Sequence, residues 1–218
     1  MSFPGSPRLL KGGLVLLDPP SSRILRVIVM QYNPETITRT LTAQAVTGDG
    51  LDRSQALRIK GPAIETLKLD AAIDATDQLE FPDQNPDVVE SGIQAQLAAL
   101  EMLIQPPSDQ LTTNNSLSNA GTLEIIPVEM PLTVLVWSKM RIVPVRVTDL
   151  SITEEAFDTT LNPIRAKVSL GLRVLTINDL GFDHRGGGLF MAYLQAKERL
   201  AQKVRTTSLS ELGIGRLP

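Results

Sequence analysis

The chain of 218 residues has no cysteine and a single histidine, His184. Without thiols it forms no disulfide, no thiolate zinc site, no iron–sulfur cluster and no cysteine nucleophile. One imidazole leaves the usual acid–base and metal-binding sets almost empty. Aromatic residues make up only 4%, too few to line a sugar cleft between paired carboxylates. No G-x-S-x-G elbow and no phosphate-cradling G-x-x-x-x-G-K occurs. Gly186-Gly187-Gly188 therefore reads as a hinge, with His184 exposed within it. These absences predict a protein that is not an enzyme and that uses no catalytic residue, cofactor or metal.

Long apolar runs are missing too. No segment nears the roughly 20 apolar residues of a membrane span. The run Leu14–Leu17 behind Arg8 and Lys11 stops at Asp18-Pro19-Pro20, too soon for a secretory signal. Assembly in the cytoplasm, without direct membrane insertion, is the expectation.

Basic residues are absent from Leu69 to Ser138, a stretch that holds 11 acids. From His184 onward the balance reverses, with six Lys/Arg against Glu198 and Glu211. The net charge of −3 thus divides into −7 for residues 1–183 and +4 for 184–218. Such segregation orients contacts between copies or with charged partners. The basic tail interleaves its charges with leucines and has only Phe190 and Tyr193 to stack on bases, so nucleic acid is not an expected partner. Within the acidic stretch, Asp74, Asp77, Glu80 and Asp83 lack the D-x-D-x-D-G order of a calcium loop and read as solvated. A monomeric calcium- or carbohydrate-binding β sandwich stays open as an alternative on these residues.

What is present is mostly strand. Gly13–Leu17 and the β-branched run Ile24–Gln31 read as strands, the second as a buried one. Thr36–Thr42 alternates threonine with Ile37, Arg39 and Leu41, a half-exposed strand, and Ala45–Gln55 is a loop. Ile64–Ala72 buries Leu67, Leu69 and Ala71 against a wet face. Ala75–Pro86 reads as acidic loop. One helix follows, capped by Asp87 with Glu90 and ended by Pro106-Pro107. Ser108–Leu123 reads as a long loop. Strands resume over Leu132–Trp137, Arg141–Val147, Leu150–Glu154 and Ile164–Ile177, with Trp137 in the core. Asp179–Gly188 is a hinge and Leu189–Val204 a helix. The fold class predicted is mainly β, an antiparallel sandwich or barrel of about eight strands with one mid-chain helix and a C-terminal helical tail. Its domains are a flexible arm over 1–11, a β domain over 12–177, and a hinge with basic helical tail over 178–218. Tyr32, Asn33 and Pro34 are expected to set strand-turn geometry at an interaction site, and Leu189, Phe190 and Tyr193 to dock the tail.

Several segments resemble one family in order and spacing. Tyr32-Asn33-Pro34-Glu35-Thr36-Ile37-Thr38 resembles the F/Y-N-P-x-x-hydrophobic-x signature of the tube-protein domain of contractile injection systems. Leu67-Lys68-Leu69-Asp70-Ala71-Ala72-Ile73-Asp74 resembles its L-x-L-x-F-D segment, with Ile73 for the aromatic. Pro131–Trp137 resembles the P-P-x-V-x-F-x-W strand, and Asn162-Pro163-Ile164-Arg165-Ala166 the G-x-P-x-R-A strand start. The likeness covers about residues 12–177 and lacks the C-terminal LysM module of longer members. It implies a baseplate tube-initiator or hub adaptor of a phage-tail-like particle, built on a tail-tube β fold. The implied assembly is a six-fold homo-oligomeric ring joining the inner tube to the spike. Implied partners are inner-tube, spike, sheath and baseplate wedge proteins, in a particle that is released or membrane-attached. The main inner-tube subunit is the alternative within the same family.

Overall fold

A computed structural model describes residues 10–45, 57–119, 121, 127, 129–204 and 208–217. Most of the expected arm over 1–11 and of the loop Ala45–Gln55 lies outside these residues. Seven strands are described: β1 Gly13–Leu17, β2 Ile24–Val29, β3 Ile37–Thr42, β4 Ile64–Asp74, β5 Leu132–Ser138, β6 Arg141–Phe157 and β7 Pro163–Val174. They form one antiparallel sheet in the order β2-β1-β5-β6-β7-β4-β3. The fold is mainly β, as expected.

Strand alternation sorts the side chains into two faces. Leu67, Leu69, Leu170, Leu172, Val145, Leu135 and Leu14 are paired or aligned on the inner face and are buried in one cluster. The sheet curls around that cluster. Gln31, just after β2, reaches the end of β4, where its amide donates to the Asp74 carbonyl at 2.6 Å and accepts from the Asp74 N–H at 2.8 Å. One side chain thus replaces a rung of ladder between strands that stand five places apart in the sheet.

Several segments differ from expectation. β2 is not buried: it is an edge strand, and Ile24, Val27 and Val29 are each more than half exposed. Its β-branched density reflects strand preference, which a sheet edge satisfies as well as its centre. Arg141–Val147 and Leu150–Glu154 are halves of one 17-residue strand, β6, whose alternation a bulge between Val147 and Asp149 interrupts. The single mid-chain helix is two, α2 Pro86–Ser91 and α3 Gln94–Glu101. Gly92 parts them at φ 58°, where a Cβ would overlap the Pro163 carbonyl and where Ile93 N–H donates to that carbonyl at 2.8 Å. Asp87 is not the cap: Asn85 holds that place, with Pro86 in the first turn.

The acidic loop Ala75–Pro86 contains a short helix, α1 Thr76–Leu79, and a 3-10 turn Pro82–Gln84. Ser108–Asn119 is a helix, α4, rather than a loop. It buries no residue, so it leaves no apolar stripe to read. Its hydroxyls instead bond back one turn, Thr112 to Ser108 O at 3.0 Å and Thr113 to Asp109 O at 2.9 Å.

The expected hinge is also structured. After the short helix α5 Ile177–Leu180, Arg185–Ala201 forms α6, so the triple glycine lies in a helical turn. Gly187 is required by contact, because a Cβ there would overlap the Gly181 carbonyl. His184 is the cap, its Nδ1 accepting from Gly186 N–H at 3.0 Å. α6 crosses the inner face, where Phe190 and Tyr193 enter the core.

At that crossing Glu65 of β4 is buried, 3% exposed. Tyr193 donates its hydroxyl to Oε1 at 2.8 Å, and Lys197 donates from Nζ to Oε2 at 2.7 Å. The Lys197 ammonium also sits 4.1 Å from the Tyr193 ring centroid. Removing one partner of a buried charge costs more than the bond itself, since the other stays desolvated. Urea denaturation should find Tyr193→Phe destabilised by about 1–2 kcal/mol and Glu65→Ala, which strands Lys197 and deletes both bonds, by about 3 kcal/mol.

Candidate functional site

Among the described residues, strand edges without a paired strand lie in three places. β2 and β3 end the sheet. The third arises because β5 pairs with β6 only as far as Val145, whereas β6 continues to Phe157 with β7 alone on its other side. Among the described residues, Thr148–Phe157 therefore has no strand on the side away from β7. Between it and β3 stand β7 and β4, so half the sheet is a four-stranded ribbon, β6-β7-β4-β3, open on both sides.

The outer face of this ribbon has its own chemistry. Thr38, Thr40 and Thr42 of β3 register with Lys68, Thr66 and Ile64 of β4. Lys68 and Asp70 pair with Gly171 and Ser169, and Ser169 with Ser151. Two shallow grooves run along it, one between Thr38, Thr66 and Asp149, the other between Asp70, Ser151 and Lys167. A sheet face this hydroxylic faces water rather than a core. The inner face of the same strands is mainly apolar around the buried Glu65, and Ile37, Arg39 and Leu41 of β3 continue it to the edge.

Of the residues singled out from sequence, Asn33 holds the chain entering β1: its Oδ1 accepts from Gly12 N–H at 2.8 Å, and its Nδ2 donates to Leu10 O at 2.8 Å. Tyr32 is about half exposed beside it and Pro34 partly buried. Phe190 and Tyr193 lie inside the core and Leu189 packs on a second apolar cluster around Leu17, Leu132 and Val134. The structure thus gathers these residues in two places, the β1 entry and the base of α6, and neither set lies on the ribbon. Reading the ribbon's edge from sequence needed the length of β6, which the bulge at Thr148 hides.

Among the described residues no group of three or more His, Cys, Asp or Glu could hold a metal ion. Asp74 is already engaged: Oδ2 accepts from Arg165 Nε at 2.7 Å and Oδ1 from the N–H and hydroxyl of Thr76. Among the described residues no helix is long and apolar enough to cross a membrane.

No family model matches the sequence, and no curated protein matches it. Among solved structures, the chain is similar to the tail of an empty gene transfer agent particle at C6 symmetry, with 11% identity, 75% of this chain and 90% of that chain covered, and a TM-score of 0.29. It is similar to a chain of the native gene transfer agent virion with the same identity and coverage and a TM-score of 0.28. Likeness at that level is too remote to define fold or function.

The ribbon's far end is tied by acids. Asp158, in the turn from β6 to β7, is lowered from 3.8 to about 2, chiefly by the Asn162 backbone N–H and then by Thr160 and the Asn162 amide. The Thr76 hydroxyl and N–H, with Arg165, lower Asp74 as well. A carboxylate with a depressed folded-state value stabilises fully above its unfolded value and loses that contribution as pH falls through the folded one. Stability should hold down to about pH 4 and drop toward about pH 2. Asp158→Asn should flatten that drop in acid-titrated thermal melts.

Proposed function

We propose that the chain is a structural, non-catalytic ring subunit of a phage-tail-like particle, placed where the inner tube joins the spike and baseplate. The observation that carries this is the four-stranded ribbon: open at both edges, hydroxylic outside, apolar within. β3 and β6 run in opposite senses across it, so β3 of one copy meets the free half of β6 in the next as an antiparallel neighbour. Unlike edges pairing in this way generate a closed ring when the rotation closes. With six copies, about 24 strands spaced ~4.8 Å apart would enclose a barrel roughly 37 Å across between backbones, which is wide enough for an aqueous channel. The Thr/Ser/Lys/Asp face would line it. The order of family-like segments over residues 12–177 supports the same reading.

The junction position, rather than the repeating tube, is favoured by what stands outside the ribbon. α4 buries nothing, and the end of α6 and the turn Leu209–Leu212 are exposed. A subunit that meets unlike neighbours, such as tube, spike, sheath or wedge proteins, has use for such appendages.

Electron microscopy of particles from cells that make the chain should place it in a six-membered ring next to the tube. A chain that stays monomeric with tube and spike proteins present would overturn the reading, and a copy number far above one ring would favour the main tube. Leu41, half exposed on the β3 edge, offers a selective test. Leu41→Lys should leave the monomer's stability within about 0.5 kcal/mol and lower ring assembly about tenfold or more, read by sedimentation.

A further inference from the structure

Besides the bulge between Val147 and Asp149, β6 carries another between Glu154 and Ala156. Its unpartnered half therefore offers one regular run, Asp149–Glu154, of six residues, and β3, Ile37–Thr42, is also six residues long. Both runs alternate alike. Thr38, Thr40 and Thr42 share the outer face with Asp149, Ser151 and Thr153, whereas Ile37, Arg39 and Leu41 share the inner face with Leu150, Ile152 and Glu154. Laid antiparallel and end to end, the runs set Thr42 opposite Asp149 and Ile37 opposite Glu154, and every pair between keeps its face. On the inner side Leu41 meets Leu150, and Arg39 stands diagonal to Glu154, within reach of a long side chain. Glu154 lines a groove of about 310 Å³ with Gln94, Leu97 and Glu101 of α3. Among the described residues neither acid has a Lys or Arg partner. Arg39, whose side chain is 40% exposed, is a cation able to supply one.

The rows of the sheet exclude an unshifted junction. Within one subunit Thr38 is level with Asp149 through Lys68 and Gly171, and Thr40 with Arg146 through Thr66 and Arg173. An unshifted neighbour would drive Leu41 against Val145, where Thr133 of β5 already pairs. Setting Thr42 opposite Asp149 instead moves each copy four residues along the strand. Over six junctions and about 24 strands this is one residue per strand, a tilt of about 35° for ~3.3 Å rise against ~4.8 Å spacing, which closed barrels favour. That tilt widens the barrel to about 45 Å. Its sense agrees as well. Leu175 N–H donates to Pro144 O at 2.9 Å, so Arg173, two residues back, turns its N–H toward β6 and its side chain to the outer face. For L-residues, with the outer face lining the channel, this strand order makes the shift a right-handed tilt, the hand of natural sheets.

We propose that β3 of each subunit pairs with Asp149–Glu154 of a second copy in this one register, and that Arg39 closing on that copy's Glu154 selects it. The proposal rests on the ring reading above and deepens it by naming the register. Because the chain has no cysteine, introduced pairs report contacts cleanly. Thr40→Cys would be combined in turn with Arg146→Cys, Asp149→Cys, Ser151→Cys and Thr153→Cys, all exposed, which sample shifts of zero, two, four and six residues. Full-length chains in cells that assemble the particle would be oxidised with copper phenanthroline and run on non-reducing gels. The expected result is a ladder of multimers from the Ser151 pair, about tenfold above the other pairs, with single-cysteine chains stopping at dimer or below. A dominant ladder from another pair would overturn the register and leave the ring standing. No ladder from any of the four would overturn both. Glu154→Lys, at a site exposed in the monomer, should melt as the parent does and assemble about tenfold less. Assembly equal to the parent's would overturn the Arg39 contact.

Discussion

Among the described residues Glu65 is the one carboxylate that this fold takes almost wholly out of water, and the arrangement of the chain follows from how it is satisfied. A buried anion needs full hydrogen bonding or it is expelled. Its partners, Tyr193 and Lys197, lie far along the sequence on α6, so the charge is tolerated only when the last long helix crosses β4. That fixes α6 on the inner face, and Phe190 and Tyr193 complete the core there. Arg39 stands 3.8 Å from the same carboxylate and ties β3 to the cluster from the other side. Helix, inner strand and edge strand thus share one electrostatic anchor.

With α6 and the pair α2–α3 supplying apolar cover for the inner face, the outer face of β3, β4, β7 and β6 is, among the described residues, covered only where Asp179 of α5 meets Arg173. The sequence there agrees, placing threonine, serine, lysine and aspartate at alternate positions. A monomer gains little from four long strands with one naked face and two naked edges, since unpaired edges invite association. In the proposed ring each of these features would be satisfied: edges as ladder, outer face as channel wall. The part of β6 that outruns β5, about half its length, is the edge that the proposed ring would use.

How much of this was legible in the sequence depended on whether burial leaves a period. β4 and β7 alternate cleanly because one face is in the core, and both were readable to within a few residues. The Thr/Ile/Arg/Leu alternation of β3 was equally plain, though not that it ends a sheet. β2 misled because Ile24, Val27 and Val29 record strand preference and not burial. α4 was invisible because a helix that buries nothing, made of Ser, Thr and Asn, has no stripe. The triple glycine looked like a hinge because close packing against the Gly181 carbonyl and flexibility call for the same residue. The latch at Glu65 could not be read at all, since its partners are 128 and 132 residues away. The edges that carry the proposed function were half legible: β3 by its pattern, β6 obscured by its bulge.

Open edges also have to be selective, and the charges on these two discriminate. A two-fold pairing of β3 with β3 that kept the sheet faces aligned would set Arg39 opposite Arg39 or diagonal to it, which is unfavourable. Self-pairing of the free half of β6 would likewise gather Glu154 and Glu155 from both copies. Arg39 and Glu154 both belong to the inner face, Arg39 through its pairing with Leu67 and Glu154 through its pairing with Ala166. Joining β3 to β6 therefore brings unlike charges to one side of the sheet and, on the other, Thr38, Thr40 and Thr42 to the side of Asp149, Ser151 and Thr153. Head-to-tail association is the one arrangement of these edges that opposes no like charges, and it is the arrangement that propagates around an axis instead of stopping at a dimer.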